Sequence, residues 1–173
     1  EGGAGTERPH GRDNCRWAGG VLPGRTQGAI LQDTDLYKWL EAVAYCSANG
    51  TGKHLLPLAQ EAAVLIARAQ EPDGYLNTYI TIECPEKRWS NLAEGHELYG
   101  AGHLIEAAVA YYRATGEKLL LDTAQRFADL IDRTFGAEDG KCHGYPGHQE
   151  IELALVKLYR ATGEKRYLHL ADY

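Results

Sequence analysis

The fold of this chain is decided by residues 95–118, which read GHELYGAGHLIEAAVAYYRATGEK. The apolar residues of this stretch recur at steps of three and four, so they form one stripe along a helix: Leu98, Ala101, Leu104, Ile105, Ala108 and Tyr112. Gly116 follows the stripe, and a glycine ends a helix at little cost because it tolerates a left-handed backbone. The stretch therefore predicts a helix that packs on a core and ends at Gly116.

The end of this stretch occurs twice in the chain. The motif YRATGEK at Tyr112–Lys118 returns at Tyr159–Lys165, and 163 − 116 gives an offset of 47 residues between the two glycines. A repeat of this length corresponds to one helical hairpin, which cannot bury its apolar face without neighbouring hairpins. The repeat predicts an all-α protein built from stacked hairpins.

Composition and charge exclude several classes of partner. The chain has 173 residues, 44% of them hydrophobic, which is enough for one globular core. The net charge of −6 argues against nucleic acid, whose phosphates attract basic surfaces. No apolar run approaches the roughly 20 residues of a membrane span. Residues 1–8 show no apolar signal-peptide region, so a cytoplasmic location is favoured.

The chain divides into two parts. Residues 1–32 are rich in glycine, arginine and polar residues and predict an irregular N-terminal segment. Residues 33–173 carry three helical hairpins, the first of which Asp33 or Asp35 is expected to cap, because a carboxylate accepts from free amide groups. Since six hairpins of this size need about 280 residues, we expect residues 33–173 to be the first half of an (α/α)6 toroid, cut at both ends. An open solenoid is the structural alternative.

Residues 71–94 form a long connection for which no helix is predicted. A loop of this length is uncommon unless it has a function. It carries aromatic and amide side chains of the kind that bind sugars: Tyr75, Asn77, Tyr79, Trp89 and Asn91. Tyr75 and Trp89 are therefore candidate substrate-binding residues, and a loop anchored by buried aromatic rings is the alternative.

Two histidines stand out by their position. In a toroid the inner helices run in one direction, so their N-termini meet at one mouth. His96 and His148 each follow a glycine at the start of a predicted inner helix. Near the positive end of a helix an imidazole stays neutral, and it can then donate to or accept from a sugar hydroxyl. Each histidine is a candidate substrate-binding residue, with a helix-capping role as the alternative; His103 is expected to be structural.

No catalytic residue and no metal ligand is identified in this chain. The helices carry Glu106, Glu150 and Glu152, and paired carboxylates are typical of glycosidases, but charges on helix surfaces are common. The cysteines have no metal-binding spacing and are expected to be free or buried thiols: Cys15, Cys46, Cys84 and Cys142.

Five ordered motifs resemble one family of carbohydrate-active enzymes. They are DTDLYKWLEA at 33–42, DGYLNTY at 73–79, RWSNL at 88–92, GHELY with GHLIEAA at 95–108, and GHQEIELAL at 147–155. From about Gly11 to its end, the chain resembles the N-terminal half of the catalytic domain of the β-L-arabinofuranosidases of glycoside hydrolase family 127.

The resemblance implies an (α/α)6 barrel followed by β-domains, in a retaining exo-hydrolase that removes β-L-arabinofuranose from arabinose-containing glycans. It implies a cysteine nucleophile held on zinc by a glutamate and further cysteines, with a second glutamate as acid/base. Those residues belong to the later half of the domain, and nothing here matches them. His96 and His148 match histidines that contact arabinose hydroxyls. The remaining half of the barrel and the β-domains are the implied partners within the parent chain.

Two other readings stay open. A noncatalytic helical-repeat scaffold would present a charged or leucine-rich concave surface rather than histidine and aromatic rings. A different sugar-active toroid, such as a uronyl hydrolase or an epimerase, would keep the barrel and change the sugar. In every case we expect these 173 residues alone to be catalytically inactive.

Overall fold

The computed structural model describes residues 31–173, and most of these residues are helical. The helices are α1 (Gln32–Ala48), α2 (Leu56–Ala69), α3 (Thr78–Glu83), α4 (Leu92–Gly95), α5 (Glu97–Thr115), α6 (Leu119–Thr134), α7 (Glu150–Thr162) and α8 (Lys165–Asp172). Single 3₁₀ turns lie at Lys53–Leu55 and Pro85–Lys87. Within the described range the β contact is an isolated bridge between Phe135 and Cys142. The all-α prediction is confirmed, whereas the irregular segment predicted for residues 1–32 falls almost wholly outside the described residues.

The long helices pair into three hairpins arranged in two rows. The inner row consists of α1, α5 and α7, with α5 packed extensively against both neighbours. The outer row consists of α2, α6 and α8, with α6 in contact with the other two. Alternation of inner and outer helices along the chain is the arrangement of an α/α toroid. That residues 33–173 form the first half of a barrel stays a prediction.

The two repeated glycines end α5 and α7 in the same way. Gly116 has φ 79° and Gly163 has φ 80°, and their N–H groups donate to the carbonyls of Tyr112 and Tyr159 at 2.8 and 2.7 Å. A Cβ at either position would meet no atom within 4 Å. The left-handed backbone, rather than crowding, is therefore what favours glycine there.

The predicted capping role of Asp33 or Asp35 is wrong. Leu31 occupies the N-cap position of α1, and no side chain caps the helix. The Asp33 carboxylate instead accepts hydrogen bonds from the backbone N–H and the hydroxyl of Thr78, at 2.8 and 2.6 Å. Asp33 therefore joins the first turn of α1 to the first turn of α3.

The prediction that residues 71–94 lack a helix is also wrong, since α3, a 3₁₀ turn and α4 lie there. The Asn77 side chain accepts from the N–H of Ile80 at 2.9 Å, and that of Asn91 accepts from the N–H of Glu94 at 3.1 Å. Both amides, which resembled sugar-binding groups in the sequence, are helix N-caps. Helices of one or two turns are too short to display an apolar period, so the pattern did not reveal them.

Gly102 in α5 lies against the start of α7. A Cβ there would come within 2.7 Å of the Cγ of Glu150 and 3.1 Å of the N of Ile151. We expect Gly102→Ala to lower the free energy of unfolding by about 1–3 kcal/mol, because α7 has to move away.

Gly100→Ala is the matched control in the same helix. A Cβ there meets only the Cγ2 of Thr34 at 4.0 Å, and alanine favours a helix over glycine by about 1 kcal/mol. Urea unfolding of the two variants should therefore shift in opposite directions. Equal stabilities for Gly102→Ala and the wild type would contradict the close packing of α5 on α7.

Candidate functional site

The N-terminal ends of the inner helices, with the residues just before them, bring six polar side chains together. We call this set the mouth cluster: Lys38, His96, Tyr99, His103, His148 and Glu150. Lys38 lies on α1, Tyr99 and His103 lie on α5, and Glu150 begins α7. The predicted meeting of the inner helix N-termini at one mouth is confirmed for these three helices.

Tyr99 occupies the centre of the mouth cluster. Its ring centroid lies 5.8 Å from that of His96, 4.5 Å from that of His103 and 4.9 Å from that of His148. The interplanar angles are 63°, 83° and 74°, so all three contacts are edge-to-face. Aromatic pairs prefer this geometry, because the positive edge of one ring meets the negative face of the other. One tyrosine thus orients imidazoles from α5 and from the turn before α7.

Lys38 places a positive charge beside this ring. Its Nζ donates to the hydroxyl of Tyr99 at 3.1 Å and lies 5.3 Å from the ring centroid. The ammonium therefore combines a hydrogen bond with a contact to the ring of the same residue.

His103 lies deeper in the cluster and is held neutral. Its Nδ1 is 3.4 Å from Oε1 of Glu150, and its side chain is 13% exposed. Burial, together with the charge of Lys38, lowers the pKa of His103 to about 4. Burial and the neighbouring Glu106 raise the pKa of Glu150. The mouth therefore contains a neutral imidazole beside a carboxyl group of weakened acidity.

His96 adopts a left-handed backbone between α4 and α5, with φ 51°. Such a conformation is unfavourable for a residue with a side chain, so the surrounding structure has to hold it. The support comes from the next residue, Glu97, which is 1% exposed. Its carboxylate accepts from the hydroxyl of Tyr75 and from the N–H of Trp89, the latter at 2.8 Å. Trp89 is itself left-handed, with φ 63°.

His148 precedes α7 and is exposed. Its Nδ1 accepts from the backbone N–H of Glu150 at 3.2 Å, which ties the ring to the first turn of α7. The predicted location of His96 and His148 at the starts of neighbouring inner helices is confirmed. Their contact with a substrate stays a prediction.

The structure places the Tyr75 side chain in the core and packs Trp89, which is partly exposed, against it. Tyr75 is 1% exposed and contacts Trp89 and Phe127 edge-on, with ring centroids 5.1 and 5.6 Å apart. Trp89 packs in turn on Phe135 at 5.3 Å. At 1% exposure Tyr75 offers a ligand almost no surface, which argues against direct contact and for the alternative of an aromatic-anchored loop. Trp89 is partly exposed, and its predicted contact with a substrate stays open.

The Arg88 guanidinium covers the ring of Tyr75 on its solvent side. It lies 3.9 Å from the centroid of the Tyr75 ring, and it bonds the carboxylate of Asp73 at 2.7 Å. A cation over an aromatic face is attracted by the ring quadrupole. The turn after α2 is thereby joined to the loop before α4.

A second polar group lies further along the inner helices. Lys157 on α7 donates to the buried carboxylate of Glu106 on α5. Burial and the neighbouring Glu106 raise the pKa of Glu41 on α1. Polar contacts therefore join α1, α5 and α7 both at the mouth and further along the helices. In all three helices the second set of residues follows the first in sequence, so the helices run in the same direction.

The sequence did not point to Lys38, Tyr99 or Glu97 as parts of the site. The sequence nevertheless contained a sign of the role of Tyr99. Residues 96, 99 and 103 are spaced by three and four, so their side chains lie on one face at the start of the helix. Lys38 needed the packing of α1 on α5, which no local pattern contains.

Residues 31–173 offer little for metal binding or for insertion into a membrane. No three histidine, cysteine, aspartate or glutamate side chains in this range are arranged to hold a metal ion. Within this range Cys46, Cys84 and Cys142 are not in disulfides, and Cys84 is buried. Cys15 lies outside the described residues, so its expected state stays a prediction. No helix in this range has the length and apolarity needed to cross a membrane.

Comparison with known proteins gives one consistent result. The model of the family described as β-L-arabinofuranosidase, GH127 catalytic domain, matches residues 6–173. The chain is 46% identical over 170 residues to a non-reducing end β-L-arabinofuranosidase of Bifidobacterium longum subsp. longum, an alignment that covers 96% of this chain and 26% of that protein.

Two solved structures agree with this match. A GH127 β-L-arabinofuranosidase from Geobacillus stearothermophilus T6 superposes with a TM-score of 0.83 and 55% identity, over 88% of this chain and 24% of that one. A GH127 β-arabinofuranosidase superposes with a TM-score of 0.80 and 40% identity, over 86% of this chain and 25% of that one. The chain thus spans about a quarter of the length of these relatives.

We expect Tyr75→Phe to lower the free energy of unfolding by about 1–3 kcal/mol, because the buried Glu97 carboxylate loses one of its donors. Tyr145→Phe is the control, since Tyr145 is 64% exposed. Urea denaturation measures both variants. A Tyr75→Phe protein as stable as the control would show that Glu97 does not depend on this hydroxyl.

The depressed pKa of His103 predicts a pH dependence of stability. Between its ordinary pKa of 6.5 and the folded value of about 4, the unfolded chain binds more protons than the folded one. The contribution of His103 is therefore complete above pH 6.5 and is lost as the pH falls toward 4. Unfolding at pH 7 and pH 4.5 should show a larger loss for the wild type than for His103→Gln, and equal losses would contradict this assignment.

Proposed function

Because the chain belongs to the GH127 β-L-arabinofuranosidase catalytic-domain family, we propose that it forms the sugar-binding wall of a glycoside hydrolase acting on arabinose-containing glycans. The proposed reaction is the release of β-L-arabinofuranose from the non-reducing end. The similarity to whole enzymes supports the activity, and the mouth cluster supports the role of this part of the chain.

The observation that carries the proposal is the convergence of His96 and His148 on Tyr99. Their rings lie 5.8 and 4.9 Å from the same tyrosine ring, although they come from different hairpins. A neutral imidazole offers one donor and one acceptor to a hydroxyl. In His148 the acceptor Nδ1 already bonds the N–H of Glu150, so its Nε2–H is the group left to donate to a sugar oxygen. A noncatalytic scaffold would instead be expected to present charged or leucine-rich side chains on this surface.

In this proposal each wall residue has a defined task. His96 and His148 bond sugar hydroxyls, and the edge contacts with Tyr99 keep their rings in place. Glu97 fixes the backbone of His96 from behind, with Tyr75 and Trp89 as its donors. Tyr75 thus acts through Glu97 and not on the sugar.

The reacting groups are proposed to lie outside this chain. We propose that the full-length protein supplies a glutamate acid/base and a cysteine nucleophile held on zinc, followed by β-domains. Residues 31–173 contain no group that fits zinc, so no step of the reaction is assigned to a metal through these side chains. The chain alone should be inactive, and the cytoplasmic location stays a prediction.

The test is turnover of an aryl β-L-arabinofuranoside by the protein as its gene encodes it, compared with His96→Gln and His148→Gln. Each substitution should lower kcat/KM by roughly tenfold or more, because a bound hydroxyl loses its partner. His54→Gln is the control, since His54 is exposed in the 3₁₀ turn that follows α1, away from the mouth. A zinc chelator should abolish the activity.

Other substrates decide between this proposal and its alternatives. Turnover of an α-L-arabinofuranoside or a glucuronide in place of the β-L-arabinofuranoside would overturn the substrate. Absence of turnover on all three, with full-length protein and zinc supplied, would favour a noncatalytic role.

A further inference from the structure

The contact between Lys38 and Tyr99 fixes which partner donates. An ammonium group has three donors and no acceptor, so the Tyr99 oxygen accepts the bond from Lys38 at 3.1 Å. The phenolic proton is then left for a different acceptor. Tyr99 is only partly buried, and it lies among the imidazoles that face the mouth. The Tyr99 hydroxyl is therefore available to donate a hydrogen bond at the place where a ligand would bind.

The ring of Tyr99 also contacts side chains from two elements that are far apart in the sequence. His96 belongs to the junction of α4 and α5, whereas His148 belongs to the turn before α7. Both rings meet the same tyrosine edge-to-face. A rotation of the Tyr99 ring would remove both contacts at once.

From these two observations, we propose that Lys38 and Tyr99 work as a pair in which Lys38 is a positioning residue and Tyr99 binds the sugar. Lys38 orients the tyrosine, and Tyr99 aligns His96 and His148 and donates a hydrogen bond from its hydroxyl to an oxygen atom of the sugar. This inference rests on the proposed function of the mouth cluster and adds two residues to it.

The first test is a double-mutant cycle in the protein as its gene encodes it, with an aryl β-L-arabinofuranoside as the probe. Tyr99→Phe keeps the ring and removes the donor, so we expect kcat/KM to fall roughly 3–10-fold. Lys38→Met should cost about 2–5-fold, because the hydroxyl is no longer oriented. Since Lys38 acts through the hydroxyl, the double variant should lose no more than Tyr99→Phe alone.

Losses that multiply in the double variant would overturn the pairing, and an unchanged Tyr99→Phe would overturn the role of the donor. Lys53→Met is the matched control, because Lys53 is exposed in the 3₁₀ turn after α1. It should leave kcat/KM unchanged.

The second test needs no substrate. His103 is faced by Lys38 from α1, by Glu106 on its own helix, and by His148 and Glu150 from the start of α7. Removing the cation with Lys38→Met should raise the pKa of His103, measured by NMR of 13C-labelled histidine and assigned with His103→Gln. Lys53→Met should leave the titration as in the wild type.

The two tests separate the failure of this inference from the failure of the proposed function. An unchanged titration in Lys38→Met would show that Lys38 does not face the imidazoles, whatever the substrate is. If the wild type has no activity on the arabinofuranoside, the sugar-binding role of Tyr99 falls with the proposed function. The titration still decides whether Lys38 belongs to the cluster.

Discussion

The buried carboxylate of Glu97 is the interaction on which the mouth of this molecule depends. A charged group that is 1% exposed is costly to bury unless donors satisfy it. The Tyr75 hydroxyl and the Trp89 N–H supply these donors, so Glu97 holds together the turn after α2, the loop before α4 and the first turn of α5. His96, which directly precedes Glu97, has a left-handed backbone with φ 51°.

The helices and their ends were predictable because their signals are local. The apolar period of residues 98–112 marks a stripe that is buried from Leu98 to Ala108, although α5 is buried on its other faces as well. The left-handed backbone at residues 116 and 163 is one that glycine adopts at little cost. The position of His96 and His148 followed from chain order alone, since inner helices that run in one direction begin at one end.

The roles of the polar and aromatic residues between the helices were not predictable in the same way. Asn77 and Asn91 cap helices, yet an amide that binds a sugar has the same sequence signature. Asp33 resembled a cap, but its partner Thr78 lies 45 residues away. Whether Tyr75 faces a ligand or the core depends on Phe127 and Glu97, which reach it only after the hairpins pack.

The close approach of α5 and α7 at Gly102 limits how this part of the molecule can admit a ligand. With no room for one methyl group between them, the two helices are packed at a closely defined distance. The distance between His96 at the start of α5 and His148 before α7 is therefore set by this packing rather than by a ligand.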